Sequence, residues 1–323
     1  MAEKVLIMGE SGTGKSTSMR NLDPAKTAII NPVGKPLPFR GKFDMLNSVT
    51  DSKDIINYMK KQVKAGKKIL VVDDFQYILS IPYMNRIKEA GWDKWNDFGA
   101  NYFEIVDICS ELPKDVIVYY MTHTETLDNG ITTIKLIGKL LREKITIEGL
   151  FTIVLRTSVV DGKYFFLTQN SGKDTVKSPM DMFPAYAIDN DLKYVDEKIR
   201  NYYEIGEHMT DEELMERDKA VAATDVTKED VSGRKRRGSR KKAEEPKEEA
   251  KDEEKPVPDF MNIPDGIDEE VPFDTGDAPE EMAGAKTAFE KAKAKYGTKG
   301  DPEPEQDETE NTTAGRRTRR KRG

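Results

Sequence analysis

Near the amino terminus, Gly9-Glu-Ser-Gly-Thr-Gly-Lys-Ser16 fits the pattern G-x-x-x-x-G-K-[ST] at every fixed position. The chemistry this spacing serves is the holding of a phosphate chain. Glycines let backbone N–H groups converge on phosphate oxygens, a helix opening after the loop adds its positive end, Lys15 bridges the β- and γ-phosphates, and the Ser16 hydroxyl ligates Mg²⁺. Gly9, Glu10, Ser11, Gly12, Thr13, Gly14, Lys15, Ser16 and Thr17 are therefore the expected contacts to ATP, with Lys15 also counted among the catalytic groups. About 60 residues on, the run Ile69-Leu-Val-Val ends in Asp73-Asp74. An acid at the carboxyl end of an apolar strand lies where open α/β sheets place their ligands. Asp73 is expected to hold the Mg²⁺ shell through water, and Asp74 to orient or deprotonate an attacking water.

Thr122-His123 closes another apolar run, Val116-Ile-Val-Tyr-Tyr-Met121, expected to lie beside the Asp73 strand. A polar pair there is a candidate sensor of the γ-phosphate, or else a strand end facing solvent. With His208 the only other histidine, a His-rich metal site is ruled out. Lys139, Arg142, Arg156, Lys173 and Lys177 are candidates for a charge-neutralising finger from a neighbouring subunit, or ordinary surface charge.

These groups need a scaffold. Lys4–Met8 and Thr27–Ile30 read as buried strands, like the two runs above, and Lys15–Asn21 as the opening of a helix. Pro32–Gly41 is too rich in Pro and Gly for regular structure. Asp51–Ala65 reads as an amphipathic helix that Gly66 ends, and Phe75–Leu112 as a long helical region broken near Pro82 and Gly91. Leu150–Thr157 and Lys163–Thr168 pair as a hairpin through Asp161-Gly162. Apolar central strands alternating with helices specify an α/β fold, a mostly parallel sheet covered on both faces.

The composition divides the chain. Of its 323 residues 34% are charged and only 37% hydrophobic, too few for one core over the whole length. Apolar runs recur up to Asp218, giving a domain at 1–218; from Lys219 to Gly323 aliphatics are sparse, and 219–323 reads as a disordered charged tail. Its basic clusters, Arg234-Lys-Arg-Arg237 with Arg240-Lys-Lys242 and Arg316-Arg-Thr-Arg-Arg-Lys-Arg322, bracket an acidic stretch, and each is able to touch phosphate. Net charge is −7, which argues against indiscriminate coating of DNA. The single cysteine, Cys109, sits in an apolar run and reads as a small buried hydrophobe. An intramolecular disulfide needs a second cysteine, and no apolar stretch of about 18 residues is present, so the expected place is the cytoplasm, with no membrane partner.

On Gly9–Thr17, Thr27–Ile30 with the loop Lys35-Pro-Leu-Pro-Phe-Arg40, Asp73-Asp74 and Thr122-His123, the chain resembles the RecA-core (AAA-type) P-loop ATPases carried by bacteriophages, relatives of RecA-like single-strand annealing and recombination proteins. The resemblance covers roughly Met1 to Ile188, and only the phosphate loop is highly specific. It implies a RecA-type core, action on single-stranded DNA with a single-strand-binding partner, and a homo-oligomer completing its sites across subunit interfaces. Two departures stand out. Asn31 occupies the place where RecA-like enzymes carry a glutamate that polarises water, and an amide cannot take a proton as a carboxylate does. The loop Glu125–Lys139, where RecA contacts DNA, holds few cations.

In the tail, Pro264-Asp-Gly-Ile-Asp-Glu-Glu-Val-Pro-Phe273 resembles the acidic ending with which bacterial single-strand-binding proteins dock replication and repair partners, although here about fifty residues follow it. Ala285–Tyr296 is a candidate for a helix that forms on binding. The leading expectation is an ATPase serving phage DNA recombination, replication or repair. Its alternative is an ATP-switched scaffold with little turnover, for which Asn31 speaks. A small-molecule kinase shares the loop, but Leu136–Lys144 is a thin candidate for its Arg-rich lid.

Overall fold

A computed structural model describes residues 1–231 apart from Trp92 and Lys139. The distal tail features, both basic clusters, Pro264–Phe273 and Ala285–Tyr296, lie outside the described residues.

The chain runs β1 (Glu3–Met8), β2 (Thr27–Asn31), β3 (Asp44–Asn47), α1 (Ser52–Lys64), β4 (Ile69–Val72), α2 (Tyr77–Asn85), α3 (Asp93–Asp107) and β5 (Ile117–Thr122). A small ribbon follows, β6 (Thr124–Thr126) and β7 (Thr132–Ile134), then β8 (Ile153–Val160), β9 (Lys163–Leu167), β10 (Ala187–Asp189), α4 (Leu192–Tyr202), α5 (Asp211–Val221) and α6 (Lys228–Val231). Eight strands form one mixed, mostly parallel sheet in the order β10-β9-β8-β1-β5-β4-β2-β3. Only the pairings of β9 with β8 and with β10 are antiparallel. The fold is thus α/β, as the apolar runs require.

Every residue of β2, β4 and β5 is buried. Successive side chains of a strand point to opposite faces, so an unbroken apolar run fills two cores at once. Leu6, Met8, Leu70, Val72, Val118 and Tyr120 pack on one face with Ile55 and Met59 of α1 and Tyr102 and Ile105 of α3. Val5, Ile7, Val71, Tyr119 and Met121 pack on the other with Leu192, Val195 and Ile199 of α4. Cys109 is buried, and burial pushes its thiol up to about 11, which fits a packing role.

Several expectations need correction. The helix expected after the glycine loop is present but short, a six-residue 3₁₀ helix, Ser16–Asn21, that does not continue as an α-helix. Ser18 turns its hydroxyl back onto the Lys15 carbonyl at 2.6 Å, competing with helical bonding, and Leu22 N–H closes on Met19 O at 3.0 Å. Pro82 does not break the helical region but sits within α2. The bonds of that helix are made around it, Ser80 N–H to Gln76 O at 3.1 Å before and Arg86 N–H to Pro82 O at 3.1 Å after. α2 ends at Asn85, three residues past Pro82, and α3 starts at Asp93, with Gly91 at a φ of 99° in the break between them. The loop expected over Glu125–Lys139 contains the antiparallel β6–β7 ribbon. Packed structure also continues past Asp218, since Ala222 bridges to Ile188 and Val226 is buried beside Phe165 and Leu167.

The helix expected from Asp51 and the hairpin expected through Asp161-Gly162 are both present. Asp51 caps α1 by accepting from Lys53 N–H at 2.9 Å. Asp161 and Gly162, with φ of 49° and 77°, make the two-residue turn joining β8 to β9. Among the described residues, no helix is long and apolar enough to cross a membrane.

Candidate functional site

The carboxyl ends of β1, β5 and β4 lie side by side, because β5 pairs in parallel with both of the others. Residues that leave those ends meet, although they come from three distant parts of the sequence. Gly9 leaves β1 and donates its N–H to Thr122 O at 3.1 Å. The loop then turns through Gly12 and Gly14, whose φ values of 79° and 96° belong to the left-handed region that glycine enters freely. Gly9 needs its missing side chain for a different reason, since a Cβ there would sit 1.9 Å from Thr157 Oγ1. That Thr157 hydroxyl, on β8, shares a 2.6 Å hydrogen bond with Thr13 Oγ1 and so braces the loop from the side.

Lys15 is buried and folds over the loop, donating from Nζ to Gly9 O at 2.9 Å and Glu10 O at 2.8 Å. Burial lowers its pKa, opposed by the negative charge of Asp74 and Asp73. Both carbonyls are weak partners for an ammonium group compared with a phosphate, so the lysine is exchangeable. Glu10 and Ser11 are exposed at the loop tip, and Thr17 is partly buried behind it.

Ser16 Oγ donates to Asp73 Oδ1 at 2.9 Å. This bond joins the glycine loop to the acidic strand end and puts two hard oxygen donors together. Hard oxygens with room for water and phosphate suit Mg²⁺, which keeps several non-protein ligands. No group of three or more His, Cys, Asp or Glu among the described residues would hold a metal by itself. Asp73 is buried, and burial together with the neighbouring Asp74 charge raises its pKa to about 6.

Asp74 stands in contrast to its neighbour. Burial would raise its pKa as well, but hydrogen bonds from His123 and Lys35 outweigh that and bring it to about 2. His123 Nε2 lies 3.3 Å from Oδ1 and Lys35 Nζ 2.5 Å from Oδ2. The residue also takes a left-handed φ of 62°, a strained conformation outside glycine that the surroundings must hold in place. Both carboxylate oxygens are engaged, which suits a group that orients water better than one that takes a proton.

Of the strand-end pair on β5, His123 reaches the site and Thr122 does not. Thr122 is wholly buried and donates to Gln76 Oε1 at 3.3 Å, and the His123 backbone N–H donates to the same oxygen at 2.5 Å. Gln76, just beyond Asp74, thereby pins the end of β5 to the end of β4.

Asn31 has a role that its position alone did not reveal. Its amide donates to Lys35 O at 2.7 Å and accepts from Gly34 N–H at 2.9 Å, so it shapes the turn after β2. The turn delivers Lys35 to Asp74. Lys35 gains from that contact, since the hydrogen bond to Asp74 raises its pKa. Sequence reading missed the roles of Lys35, Gln76 and Thr157. A hint for Lys35 was available, an isolated lysine in a Pro and Gly-rich loop following a core strand.

Among the finger candidates, Arg142 bonds Glu125 Oε1 at 2.5 Å and Leu136 O at 2.9 Å, and Arg156 lies 3.8 Å from the buried Asp174. Both are engaged within their own chain. Lys173 and Lys177 are exposed, and Lys139 lies outside the described residues. No protein-family model matches the chain, and no curated protein matches its sequence.

Proposed function

We propose that the chain is a RecA-like P-loop ATPase that binds ATP with Mg²⁺ through Gly9–Thr17. The observation that carries this reading is the Ser16–Asp73 hydrogen bond of 2.9 Å, linking a complete phosphate-loop pattern to an acid on the next strand but one. Lys15 would move from the loop carbonyls onto the β- and γ-phosphates, Ser16 would ligate Mg²⁺, and Asp73 would hold its water shell. The chemistry such an ion would supply there is neutralisation of charge on the terminal phosphate. Asp74, fixed by Lys35 and His123, orients the attacking water. The six-residue 3₁₀ helix gives only a weak dipole, so the loop N–H groups and Lys15 carry the phosphate contact.

The biological setting we propose is phage DNA recombination, replication or repair on single-stranded DNA, with a homo-oligomeric assembly and tail-borne contacts to single-strand-binding or replication proteins. Support for this part is the resemblance and the basic clusters in the sequence. ATP hydrolysis measured at low salt, with and without single-stranded DNA, tests it, because phosphate contacts weaken steeply as salt rises. Turnover that rises with DNA and vanishes in Lys15→Ala supports the reading. Turnover indifferent to DNA, with no single-strand binding, removes DNA from it.

A second reading, the ATP-switched scaffold, is favoured by one observation. Asp74, brought down to about 2 by its two partners, is a weak base, and Asn31 spends its amide on the Lys35 turn. Slow hydrolysis with tight nucleotide binding is its signature. The scaffold reading predicts that Asp74→Ala leaves binding and partner recruitment intact, whereas the motor reading predicts loss of turnover.

A further inference from the structure

The β8–β9 hairpin stands on the flank of the phosphate loop away from Asp73 and Asp74, since β8 and β5 lie on opposite sides of β1. Pairing of β1 with β8 ends at Met8 opposite Arg156. Residues 157–160 and their antiparallel partners therefore rise past the carboxyl edge as a wall beside the loop. Tyr164 lies near its top, opposite Val159, and Asn190 emerges from the end of β10 to donate its backbone N–H to Tyr164 O at 3.3 Å.

Both side chains converge on Gly14. A Cβ placed there would lie 2.9 Å from Tyr164 Cδ1 and 3.0 Å from Asn190 Oδ1. Asn190 is only 2% exposed, yet neither Oδ1 nor Nδ2 has a hydrogen-bond partner. Buried amides are ordinarily paired, and an unpaired one calls for a reason. Tyr164 is the opposite case, a large ring 47% exposed. Arg20 ties the group to the residues after Lys15, donating to Asn190 O at 2.5 Å and to Thr17 O at 3.3 Å.

A phosphate chain in the loop has two ends. Ser16 and Asp73 mark the side of the metal and the terminal phosphate, so sugar and base leave on the side of β8, β9 and β10. We infer that Asn190 and Tyr164 form the base-recognition site for adenine, an inference that rests on reading Gly9–Thr17 as the phosphate loop. Tyr164 swings its exposed ring off Gly14 and stacks on the base, and the freed Asn190 amide pairs with the exocyclic amine and the adjacent ring nitrogen. An amide offers one donor beside one acceptor. Adenine complements this through its N6 amine and N7, whereas the corresponding edge of guanine offers two acceptors. Stacking is indifferent to the base and adds affinity without selecting. Asn190 is then the specificity-determining residue and Arg20 a positioning residue.

The test is equilibrium binding of ATP, GTP and inorganic tripolyphosphate, each with Mg²⁺, to the full chain and to Asn190→Ala, Tyr164→Ala and Tyr164→Phe. The expected result is a preference for ATP over GTP of about tenfold or more, abolished in Asn190→Ala while tripolyphosphate binding is unchanged. Tyr164→Ala should weaken both nucleotides about tenfold, again sparing tripolyphosphate, and Tyr164→Phe should bind as the parent does. Equal affinity of the parent for ATP and GTP, or unchanged ATP affinity in Tyr164→Ala, would overturn the inference. The exposed Tyr164 series decides the matter if Asn190→Ala does not fold. Should tripolyphosphate itself fail to bind the parent, the phosphate-loop reading falls and takes this inference with it, a result distinct from loss of base preference alone.

Discussion

The two edges of the central sheet are built to opposite specifications. At the amino edge, Arg200 of α4 donates to Asp196 Oδ2 at 2.7 Å, to Asp115 O at 3.0 Å and to Lys68 O at 3.1 Å. Asp196 Oδ1 accepts the Tyr119 hydroxyl at 2.9 Å, and Lys68 and Asp115 form an ion pair just ahead of β4 and β5. The charges in this network are opposed and hydrogen-bonded, which is the condition under which buried ions are tolerated. At the carboxyl edge two carboxylates are adjacent, one of them in a left-handed conformation, and a lysine rests on loop carbonyls. The amino edge is fixed and the carboxyl edge is poised, so like charge and strain gather where a cationic ligand shell would relieve them.

That contrast is open to attack by substitution. Arg200→Ala strands Asp196 as a buried carboxylate and should cost about 3–5 kcal/mol of stability, read by denaturant unfolding, with little change in ATP affinity of the folded protein. A large loss of ATP affinity in the folded variant would mean that the edges are not independent. Lys15→Ala is the converse. Loss of its charge-assisted contacts should weaken ATP binding by about 1.5–3 kcal/mol, roughly tenfold to more than a hundredfold, while the unfolding midpoint without nucleotide stays near that of the parent.

Gly9→Ala sharpens the picture of the loop as a braced structure. The added methyl would overlap Thr157 Oγ1, closer than real contacts allow. A stability loss of about 1–3 kcal/mol is expected, partly recovered in the double variant Gly9→Ala with Thr157→Ala. Absence of recovery would place the strain elsewhere.

The acidic pair predicts opposite responses to pH. Asp73 is raised to about 6 in the folded chain, so between its ordinary value and about 6 the native state holds a proton that the unfolded state has lost. Its contribution to stability is therefore present at low pH and fades as pH rises through about 6. Asp74, brought down to about 2, contributes stability above the ordinary carboxylate range that is lost as pH falls toward about 2. If Asp73 holds Mg²⁺ as proposed, Mg²⁺-dependent ATP binding should strengthen from pH 5 to pH 7, a trend that Asp73→Asn flattens. The smallest effect is expected for Lys35→Ala. Its half-exposed ion pair with Asp74 is worth about 1 kcal/mol or less in stability, and the readout is a several-fold change in turnover with ATP affinity nearly constant.

The parts of this architecture legible in the sequence are those governed by local rules. Unbroken apolar runs named β1, β2, β4 and β5, a glycine pattern named the tight loop after β1, and Asp161-Gly162 named a hairpin turn. β3 and β10 escaped notice, being four and three residues long, with polar ends on Asp44-Met-Leu-Asn47 and too little periodicity to register. At the site, Asp73 and His123 were marked by their place at strand ends. The contacts of Lys35, Gln76 and Thr157 depend on strand order and on where loops return, and neither is written in local spacing. Asn31 was noticed for the glutamate it replaces, and its place in the Lys35 turn emerged only from its two hydrogen bonds.

The most direct test of the central claim is calorimetric titration of ATP into the full chain and into Lys15→Ala, each with and without Mg²⁺. Saturable binding to the parent that strengthens with Mg²⁺ and weakens about tenfold or more in Lys15→Ala is the predicted result. Binding that is absent, or equal in the two proteins, would contradict the assignment of Gly9–Thr17 as a nucleotide phosphate site.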